Sequence, residues 1–319
     1  MSKIVECVPN YSISKELDIL EEIVAPFKNK DNVTLISVEP DENYNRTVVT
    51  VVGEPQAVKQ AMVESCLIAT NKIDMRKHHG EHKRMGAVDV VPFIPVSEMS
   101  IEEAITLSEE CAKEMHESCG IPIFLYNLSA KRDQCRNLPD IRKGEFEGMS
   151  EKLKDPFWKP DFGDTCHISA GVTAVGCRPF LIAFNIDLKT QDRSIAARIA
   201  KAIRFSNGGY RYIQAGPAVL EDKGIVQVTM NVTDYTKTSV YRAFEAVKME
   251  AKRFSCEVIG SEFIGLISLA CLKDIVAYYE GLASSDEVTY SMKECVSIAN
   301  KNLLLHGFDE MKVIESYVK

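Results

Sequence analysis

The order of secondary-structure signals repeats along the chain, and this repeat constrains the fold more than any other feature. Apolar residues recur at helical spacing in some segments and alternate with polar residues in others, as in residues 225–232. Each half of the chain reads as strand, helix, strand, strand, helix, strand. This order predicts an α+β protein of two similar ferredoxin-like α/β sandwich subdomains, with mixed or antiparallel sheets. We place the subdomains at residues 1–178 and 179–319.

The individual elements follow from the same patterns. Strands are predicted at 3–8, 33–38, 46–52, 88–91, 93–96, 121–126, 180–186, 211–214, 225–232 and 258–260, the last leading into 264–269. Helices are predicted at 17–27, 56–73, 100–117, 190–204 and 236–254. Residues 137–174 have little apolar periodicity, which is typical of a binding loop or a linker. Residues 284–317 are amphipathic and indicate a docked surface helix.

Composition excludes several classes of protein. A chain of 319 residues has room for two compact units, and its net charge of −8 argues against a general nucleic-acid binder. No apolar run approaches the roughly 20 residues that a membrane span needs, and the first ten residues lack a signal-peptide core. The ten cysteines form no C-x-x-C pair. We therefore expect a cytoplasmic protein, free of membrane and nucleic-acid partners, with mostly buried thiols.

The stretch HHGEHKRMG at residues 78–86 holds three of the six histidines. A glycine interrupts the stretch, and no cysteine lies close enough to complete a zinc site. Histidine titrates near pH 6.5, and the adjacent cations Lys83 and Arg84 are expected to keep His82 neutral, as a general base must be. Three interpretations remain open: an acid/base site, a solvated polar loop, or a metal site formed by His78, His79 and His82.

Two further segments contain residues suited to ligand binding. One is a glycine-containing loop of small side chains, whose backbone amides and carbonyls can lie against a flat heterocycle, although a plain connector has the same composition. Its members are Gly163, Asp164, Thr165, Cys166, His167, Ile168, Ser169, Ala170, Gly171 and Val172. The other is a predicted turn with Glu39, Asn45 and Arg46. Arg46 can bind a carboxylate through two parallel hydrogen bonds, while turn chemistry alone explains its neighbours.

Several longer words in the sequence carry a family resemblance. They are IVECVPNYS (4–12), NRTVVTVVG (45–53), IDMRKHHGEHKRMGAVDVVPFIPV (73–96), LPDIRKGEFEGM (138–149), PDFG (160–163), RPFLIAFNIDL (178–188), QVTMNVTDY (227–235) and VIGSEFIGLISLACL (258–272). With these words the chain resembles glutamate formimidoyltransferase, a folate-dependent enzyme of histidine breakdown. The resemblance runs from about residue 3 to the C-terminus.

The resemblance implies a function and a site. Such enzymes transfer the formimino group from N-formimino-L-glutamate to N5 of tetrahydrofolate, use two similar α/β subdomains with a cleft between them, and commonly form homodimers. It implies His82 as the catalytic residue and 163–172 as the folate-contacting segment, with no metal. Glu39, Asn45, Arg46 and Arg84 are expected to contact the substrates. Because this chain stops before the cyclodeaminase region of animal relatives, we expect transfer without deamination, and a separate cyclodeaminase as a partner.

The sequence departs from the family at two positions and leaves alternatives open. Ala170 lies where some relatives have a tryptophan, and Glu39 lies where the family has an aspartate. The change at Ala170 concerns how the pterin ring stacks, and the change at Glu39 concerns which carboxylate pairs with the cationic group of the substrate. The alternatives to formimino transfer are a metal-dependent amidohydrolase built on the histidine cluster and a folate-binding protein without turnover. Within transfer, the donor can also be a formyl compound.

Overall fold

The computed structural model describes residues 3–28, 30–42 and 44–317. The chain divides into two compact units, Met1–Arg178 and Pro179–Lys319, which we call the N-terminal unit and the C-terminal unit. Each unit combines helices with one β-sheet, and this confirms the predicted α+β class with two similar subdomains. Within the described part of the chain, no helix is both long enough and apolar enough to span a bilayer.

The N-terminal unit is built on a seven-stranded mixed sheet. Its strands are β1 (Ile4–Cys7), β2 (Asn10–Tyr11), β3 (Val33–Asp41), β4 (Arg46–Gly53), β5 (Val88–Ser97), β6 (Ile123–Leu125) and β7 (Thr173–Cys177). Its helices are α1 (Leu17–Lys28), α2 (Pro55–Lys72), α3 (Ile101–Cys119), α4 (Leu138–Arg142) and α5 (Glu145–Lys152). The antiparallel order β3–β4–β1–β5 forms the frame, with β2 also lying between β4 and β5. Parallel strands β7 and β6 extend the sheet beyond β5.

The C-terminal unit is built on a four-stranded antiparallel sheet in the order β9–β10–β8–β11. Its strands are β8 (Ile182–Leu188), β9 (Ile213–Leu220), β10 (Ile225–Val232) and β11 (Val258–Ile264). Its helices are α6 (Arg193–Ile203), α7 (Val240–Lys252), α8 (Leu269–Tyr279) and α9 (Met292–Leu303). The repeated strands have the same order in both sheets. If the four repeated strands of each unit are numbered in chain order, both β3–β4–β1–β5 and β9–β10–β8–β11 have the sheet order 2-3-1-4, which is the ferredoxin-like arrangement.

The alternation predicted for β10 produces the core of the C-terminal unit. Val226, Val228, Met230 and Val232 are buried. On the opposite face, Gln227 was expected to meet water, but it is buried because its amide donates to Asp187 at 2.7 Å and to Glu262 at 3.0 Å. A buried amide is tolerated when its hydrogen bonds are satisfied.

Three segment predictions were wrong. The segments predicted at 88–91 and 93–96 form the single strand β5, since Pro92 still accepts a hydrogen bond from the amide of Val8. Glu39 lies on β3 rather than in a turn, because pairing with β4 continues through Glu39–Val48 to the end of the strand. The predicted helix over 284–317 is shorter, with α9 followed by brief 3-10 turns.

The segment expected to be a loop or linker is a structured part of the N-terminal unit. It contains α4 and α5, and its apolar side chains form a separate small core with residues of β5, β6 and β7. The buried members of this core are Met85, Val90, Phe124, Tyr126, Cys135, Ile141, Met149, Val172 and Ala174. Helical periodicity does not predict these short helices, because each contributes only one buried residue, Ile141 in α4 and Met149 in α5. As predicted, most of the ten free cysteines are buried.

Candidate active site

The histidine stretch connects α2 to β5 and is fastened to a distant part of the chain. It begins after a short turn whose first residue, Asp74, accepts a hydrogen bond from the amide of Arg76 at 3.1 Å. Two backbone hydrogen bonds attach the residues on either side of the stretch to the 163–172 loop. The amide of Met75 donates to the carbonyl oxygen of Ser169 at 2.8 Å, and the amide of Ala87 donates to the carbonyl oxygen of Ala170 at 2.9 Å. The tertiary structure therefore brings together the two segments that the sequence marked separately.

His78 is a buried structural residue. Its Nε2 lies 2.8 Å from the carbonyl oxygen of Asn45, and its Nδ1 lies 3.2 Å from Nε of Arg84. A carbonyl can only accept and a guanidinium can only donate, so the ring is neutral with its proton on Nε2. Burial is the main cause that lowers the pKa of His78, and the charge of Arg84 lowers it further. Asn45 also donates to the carbonyl of His79 at 3.0 Å and thereby joins the β3–β4 connection to the stretch.

Arg84 was expected to contact substrate, but its guanidinium is already used within the chain. The side chain is 8% exposed. Nη1 donates to Glu145 and to Glu147, both at 2.9 Å, and Nη2 donates to Glu147 at 2.6 Å. The remaining N–H groups point at Nδ1 and the carbonyl oxygen of His78. All five N–H donors of this arginine therefore have partners, and a substrate carboxylate would have to displace Glu145 or Glu147.

His82 lies at a cavity of about 510 Å³. The imidazole is half-buried, and its centroid lies 5.6 Å from that of the Tyr44 ring. Within the described residues its buried Nδ1 has no hydrogen-bond partner. Burial is the first cause that lowers the pKa of His82 below 6.5, followed by the charges of Arg46 and Arg142. The ring is therefore held neutral at pH 7, as predicted for a base, but by other cations than the adjacent Lys83 and Arg84.

The cavity is lined by residues of three separate segments. Tyr44 comes from the β3–β4 connection, and Glu81, His82 and Lys83 come from the histidine stretch. The third segment contributes the end of α4 and the start of α5, which are Pro139, Arg142, Lys143, Gly144 and Glu145. This third segment lies within residues 137–174, for which the sequence predicts a binding loop or a linker. The cavity therefore depends on tertiary contacts that local periodicity does not reveal.

Asp89 and Arg142 are site residues that the motif analysis missed. Asp89 lies on β5 and is 2% exposed; its Oδ1 accepts the amide of Met85 at 2.9 Å, and its Oδ2 accepts a hydrogen bond from Nη2 of Arg142. This carboxylate ties β5, the end of the histidine stretch and α4 to one another. A signal was available, because both residues lie within the long words AVDVVPF and LPDIRKG.

The 163–172 loop contributes packing at one end and exposed side chains at the other. Ala170, Gly171 and Val172 are buried, and the amide of Val172 donates to the carbonyl of Met85 at 3.0 Å. Gly171 has φ +71°, and a Cβ there would lie 2.2 Å from the Met85 carbonyl oxygen, so only glycine fits. At the other end, Asp164, Thr165 and Ile168 are exposed. None of the loop's residues lines the His82 cavity.

The rest of this loop and the β3–β4 residues have defined environments. Nδ1 of His167 accepts hydrogen bonds from the loop amides of Ala170 at 3.0 Å and Ser169 at 3.4 Å. Gly163 packs against His116, and Cys166 is half-buried. Glu39 is exposed on β3. Arg46 is half-buried beside the site, and its Nη2 donates to the side-chain oxygen of Asn10.

The three clustered histidines do not converge. His78 is bonded through both ring nitrogens, His79 is exposed, and His82 lies beside Tyr44. Across residues 3–28, 30–42 and 44–317, no group of three or more His, Cys, Asp and Glu side chains is placed to hold a metal ion. The ligand set that a metal-dependent amidohydrolase would need is therefore not assembled in this part of the chain.

Comparisons with known proteins identify the family. The family model described as "Formiminotransferase domain, N-terminal subdomain" matches residues 4–178, and the model described as "Formiminotransferase domain" matches residues 183–319. The chain belongs to the formiminotransferase family. It is accordingly a transferase, and the resemblance drawn from its sequence words is confirmed.

Relatives of this formiminotransferase are similar over most of the chain. A protein of Streptococcus pyogenes serotype M1 named glutamate formimidoyltransferase is 47% identical, over 88% of this chain and 94% of the relative. A protein of the same name from Thermoplasma acidophilum is 38% identical, over 93% of this chain and 99% of the relative. The formimidoyltransferase-cyclodeaminase of Rattus norvegicus is 37% identical over 88% of this chain, which matches 53% of that longer protein.

Proposed function

We propose that this formiminotransferase moves the formimino group from N-formimino-L-glutamate to N5 of tetrahydrofolate, giving 5-formiminotetrahydrofolate and L-glutamate, with His82 as the general base. The donor follows from the names of the two relatives that the chain matches nearly end to end. One observation carries the role of His82: a half-buried imidazole lines a cavity and is kept neutral by burial and by two arginines. A neutral imidazole can accept a proton at pH 7.

The chemistry needs one group that takes a proton and returns it. N5 of the reduced pterin attacks the amidinium carbon of the donor, which forms a C–N bond and a tetrahedral intermediate. His82 removes the proton from N5 and then gives it to the glutamate nitrogen as the old C–N bond breaks. Since Nδ1 is buried, Nε2 is the ring nitrogen that exchanges this proton. Such proton transfer typically contributes about 10²–10⁴-fold in rate, and alignment of two substrates contributes further.

The remaining predicted contacts are assigned by exposure. Within the 163–172 loop, Asp164, Thr165 and Ile168 are the exposed side chains and are the ones we propose to touch folate. The buried Ala170, Gly171 and Val172 hold the loop's shape instead. Glu39 is exposed and can pair with the amidinium, while Asn45 supports the site through His78 and His79. A cytoplasmic homodimer and a separate cyclodeaminase that consumes the product belong to this proposal.

The direct test is an assay with each candidate donor. Purified protein is incubated with tetrahydrofolate and either N-formimino- or N-formyl-L-glutamate, and the matching product is measured, 5-formimino- or 5-formyltetrahydrofolate. His82→Gln is expected to reduce kcat by about 10²–10⁴-fold while folate affinity stays unchanged. His79→Gln is the matched control, because His79 is exposed in the same stretch. Transfer at the wild-type rate by His82→Gln would overturn the base assignment, and folate binding without turnover would leave only a carrier.

A further inference from the structure

Two arginines beside His82 have hydrogen-bond donors without acceptors. Arg142 lines the cavity; its Nη2 is bonded to Asp89, but its Nε is buried and unpaired within the described residues. Arg46 has the same feature, since Nη2 is bonded to Asn10 while Nε is buried and unpaired within the same residues. Unpaired buried polar groups are rare in native proteins, and an absent ligand or ion is one of the usual reasons for them.

The acids around the cavity do not supply the missing acceptor. Both oxygens of Asp89 are engaged, and Glu145 accepts from Arg84 at 2.9 Å. Glu81 lies at the cavity but is exposed to solvent. Within the described residues, no side chain or carbonyl accepts from Nε of Arg46 or Nε of Arg142, and a ligand anion is one group that can.

The two guanidinium groups also act on each other. Burial is the first cause that lowers the pKa of Arg46, and the charge of Arg142 is the second. Asp89 and Asp41 act on the pKa of Arg46 in the opposite direction, and an additional anion would act with them. Lys83 and Lys143 line the same cavity, are exposed, and form no ion pair within the residues that the structure describes. Together with Arg142, these two lysines place three cationic side chains along the cavity that His82 lines.

We propose that Arg142 forms a carboxylate subsite for the amino-dicarboxylate donor and that Asp89 is the positioning residue that holds it. Arg46 does not line the cavity and contributes through its charge. The inference rests on the proposed function, because it assigns the donor rather than the pterin to this side of His82. Arginine is suited to this role, since its planar fork binds a carboxylate through two parallel hydrogen bonds. A donor held by its carboxylate would present its amidine carbon to the imidazole.

Arg142→Lys tests the subsite while keeping the charge. We expect KM for the donor to rise by about 10- to 100-fold, because charge-assisted hydrogen bonds are lost, whereas KM for tetrahydrofolate stays unchanged. Arg136→Lys is the matched control, since Arg136 is exposed and, among the residues that the structure describes, its guanidinium pairs only with Asp133. A rise in KM for tetrahydrofolate alone, or no change in either constant, would overturn the assignment.

The pH profile separates this role from a general loss of structure. Arg142 lowers the pKa of His82 and Asp89 raises it. Arg142→Gln should therefore move the acid limb of kcat/KM to higher pH, and Asp89→Asn should move it to lower pH, while Arg142→Lys moves it little. A damaged fold has no reason to produce two shifts of opposite sign. Shifts in the same direction, or none, would contradict the proposal.

A binding measurement without turnover distinguishes failure of the subsite from failure of the proposed reaction. Calorimetry with L-glutamate is run on the wild-type protein, Arg142→Lys and Arg136→Lys. Binding that Arg142→Lys weakens and Arg136→Lys retains supports the subsite even if the wild type transfers nothing in the donor assay. Equal glutamate binding by all three proteins overturns the subsite even if transfer is observed.

Discussion

The two units share a strand order but differ in what has been added to it. In the C-terminal unit, the connection from the second repeat helix to the fourth strand, α7 to β11, spans only residues 253–257. In the N-terminal unit, the matching connection from α2 to β5 spans residues 73–87 and carries the histidine stretch. The N-terminal sheet also continues through β7 and β6, and the chain between these strands contains α4 and α5.

This difference indicates where the candidate site comes from. The repeated βαββαβ frame is present twice, but the His82 cavity is lined mainly by the long α2–β5 connection and by the α4–α5 segment. Both belong to the N-terminal unit alone. The repeated frame thus supplies Glu39, Arg46 and Asp89 from its strands, whereas His82 and Arg142 lie on segments that one copy has and the other lacks.

The largest expected effect comes from a comparison of two glycines. Gly171 lies at the junction where the 163–172 loop meets the end of the histidine stretch, and Gly281 has no such contact. Gly171 and Gly281 have nearly equal φ angles, +71° and +70°. A Cβ at Gly171 would lie 2.2 Å from the Met85 carbonyl oxygen, whereas a Cβ at Gly281 meets nothing within 4 Å. Gly281→Ala should cost about 1–2 kcal/mol from backbone strain alone. Gly171→Ala should cost more than about 4 kcal/mol, because the junction must also open.

Chemical denaturation of both variants measures this difference. Equal losses in the free energy of unfolding would show that the contact between the 163–172 loop and the histidine stretch is not tight. The same variant shows how activity data must be read. If Gly171→Ala opens this junction, a loss of transfer activity does not show that Gly171 contacts folate.

An intermediate effect concerns one carboxyl in each unit, the buried Glu6 and the half-buried Glu315. Burial raises the pKa of Glu6 on β1 to about 7, against an opposing effect of Arg178. Because the folded pKa lies above the unfolded value of 4.5, the stabilisation exists at low pH and is lost as pH rises through about 7. Glu6→Gln should therefore gain stability relative to wild type between about pH 5 and pH 8, by up to roughly 3 kcal/mol.

Glu315 in the C-terminal unit is the matched comparison. Burial raises its pKa too, but its carboxylate accepts the Leu269 amide at 2.7 Å, which opposes the shift. Glu315→Gln should show the same sign with a smaller change. Denaturation curves recorded across this pH range test both variants, and a Glu6→Gln curve parallel to wild type would contradict the buried-acid explanation.

The smallest effect uses the two helix caps that the units have in common. Ser100 with Glu103 and Ser291 with Glu294 form reciprocal capping boxes at α3 and α9. Replacing either serine by alanine should cost about 1 kcal/mol. The single tryptophan, Trp158, lies in the N-terminal unit, so its fluorescence reports that unit while circular dichroism reports both.

We expect Ser100→Ala to lower the midpoint seen by tryptophan fluorescence and Ser291→Ala to leave it in place while shifting the dichroism curve. If Ser291→Ala shifts the fluorescence midpoint as much as Ser100→Ala does, the two units unfold in one cooperative transition. Their stabilities then cannot be compared separately.

Local patterns in the sequence were sufficient for the repeated frame. Alternation in residues 225–232 and helical spacing in residues 17–27 predict β10 and α1 almost to the residue, because each depends only on neighbours along the chain. The α4–α5 segment was not predicted, because its short helices are stabilised by the small core around Met85 and Phe124 rather than by their own periodicity.

The sequence by itself determined the α+β class and the family, and it marked the stretch around His82 as a candidate site. Only the tertiary structure decided which charges surround that ring. Lys83 and Arg84 are its neighbours in sequence, but Arg84 is directed into Glu145 and Glu147, while Arg46 and Arg142 approach from β4 and α4. The physical reason is that electrostatic influence depends on distance and burial in the folded protein, and adjacency along the chain does not set either of them.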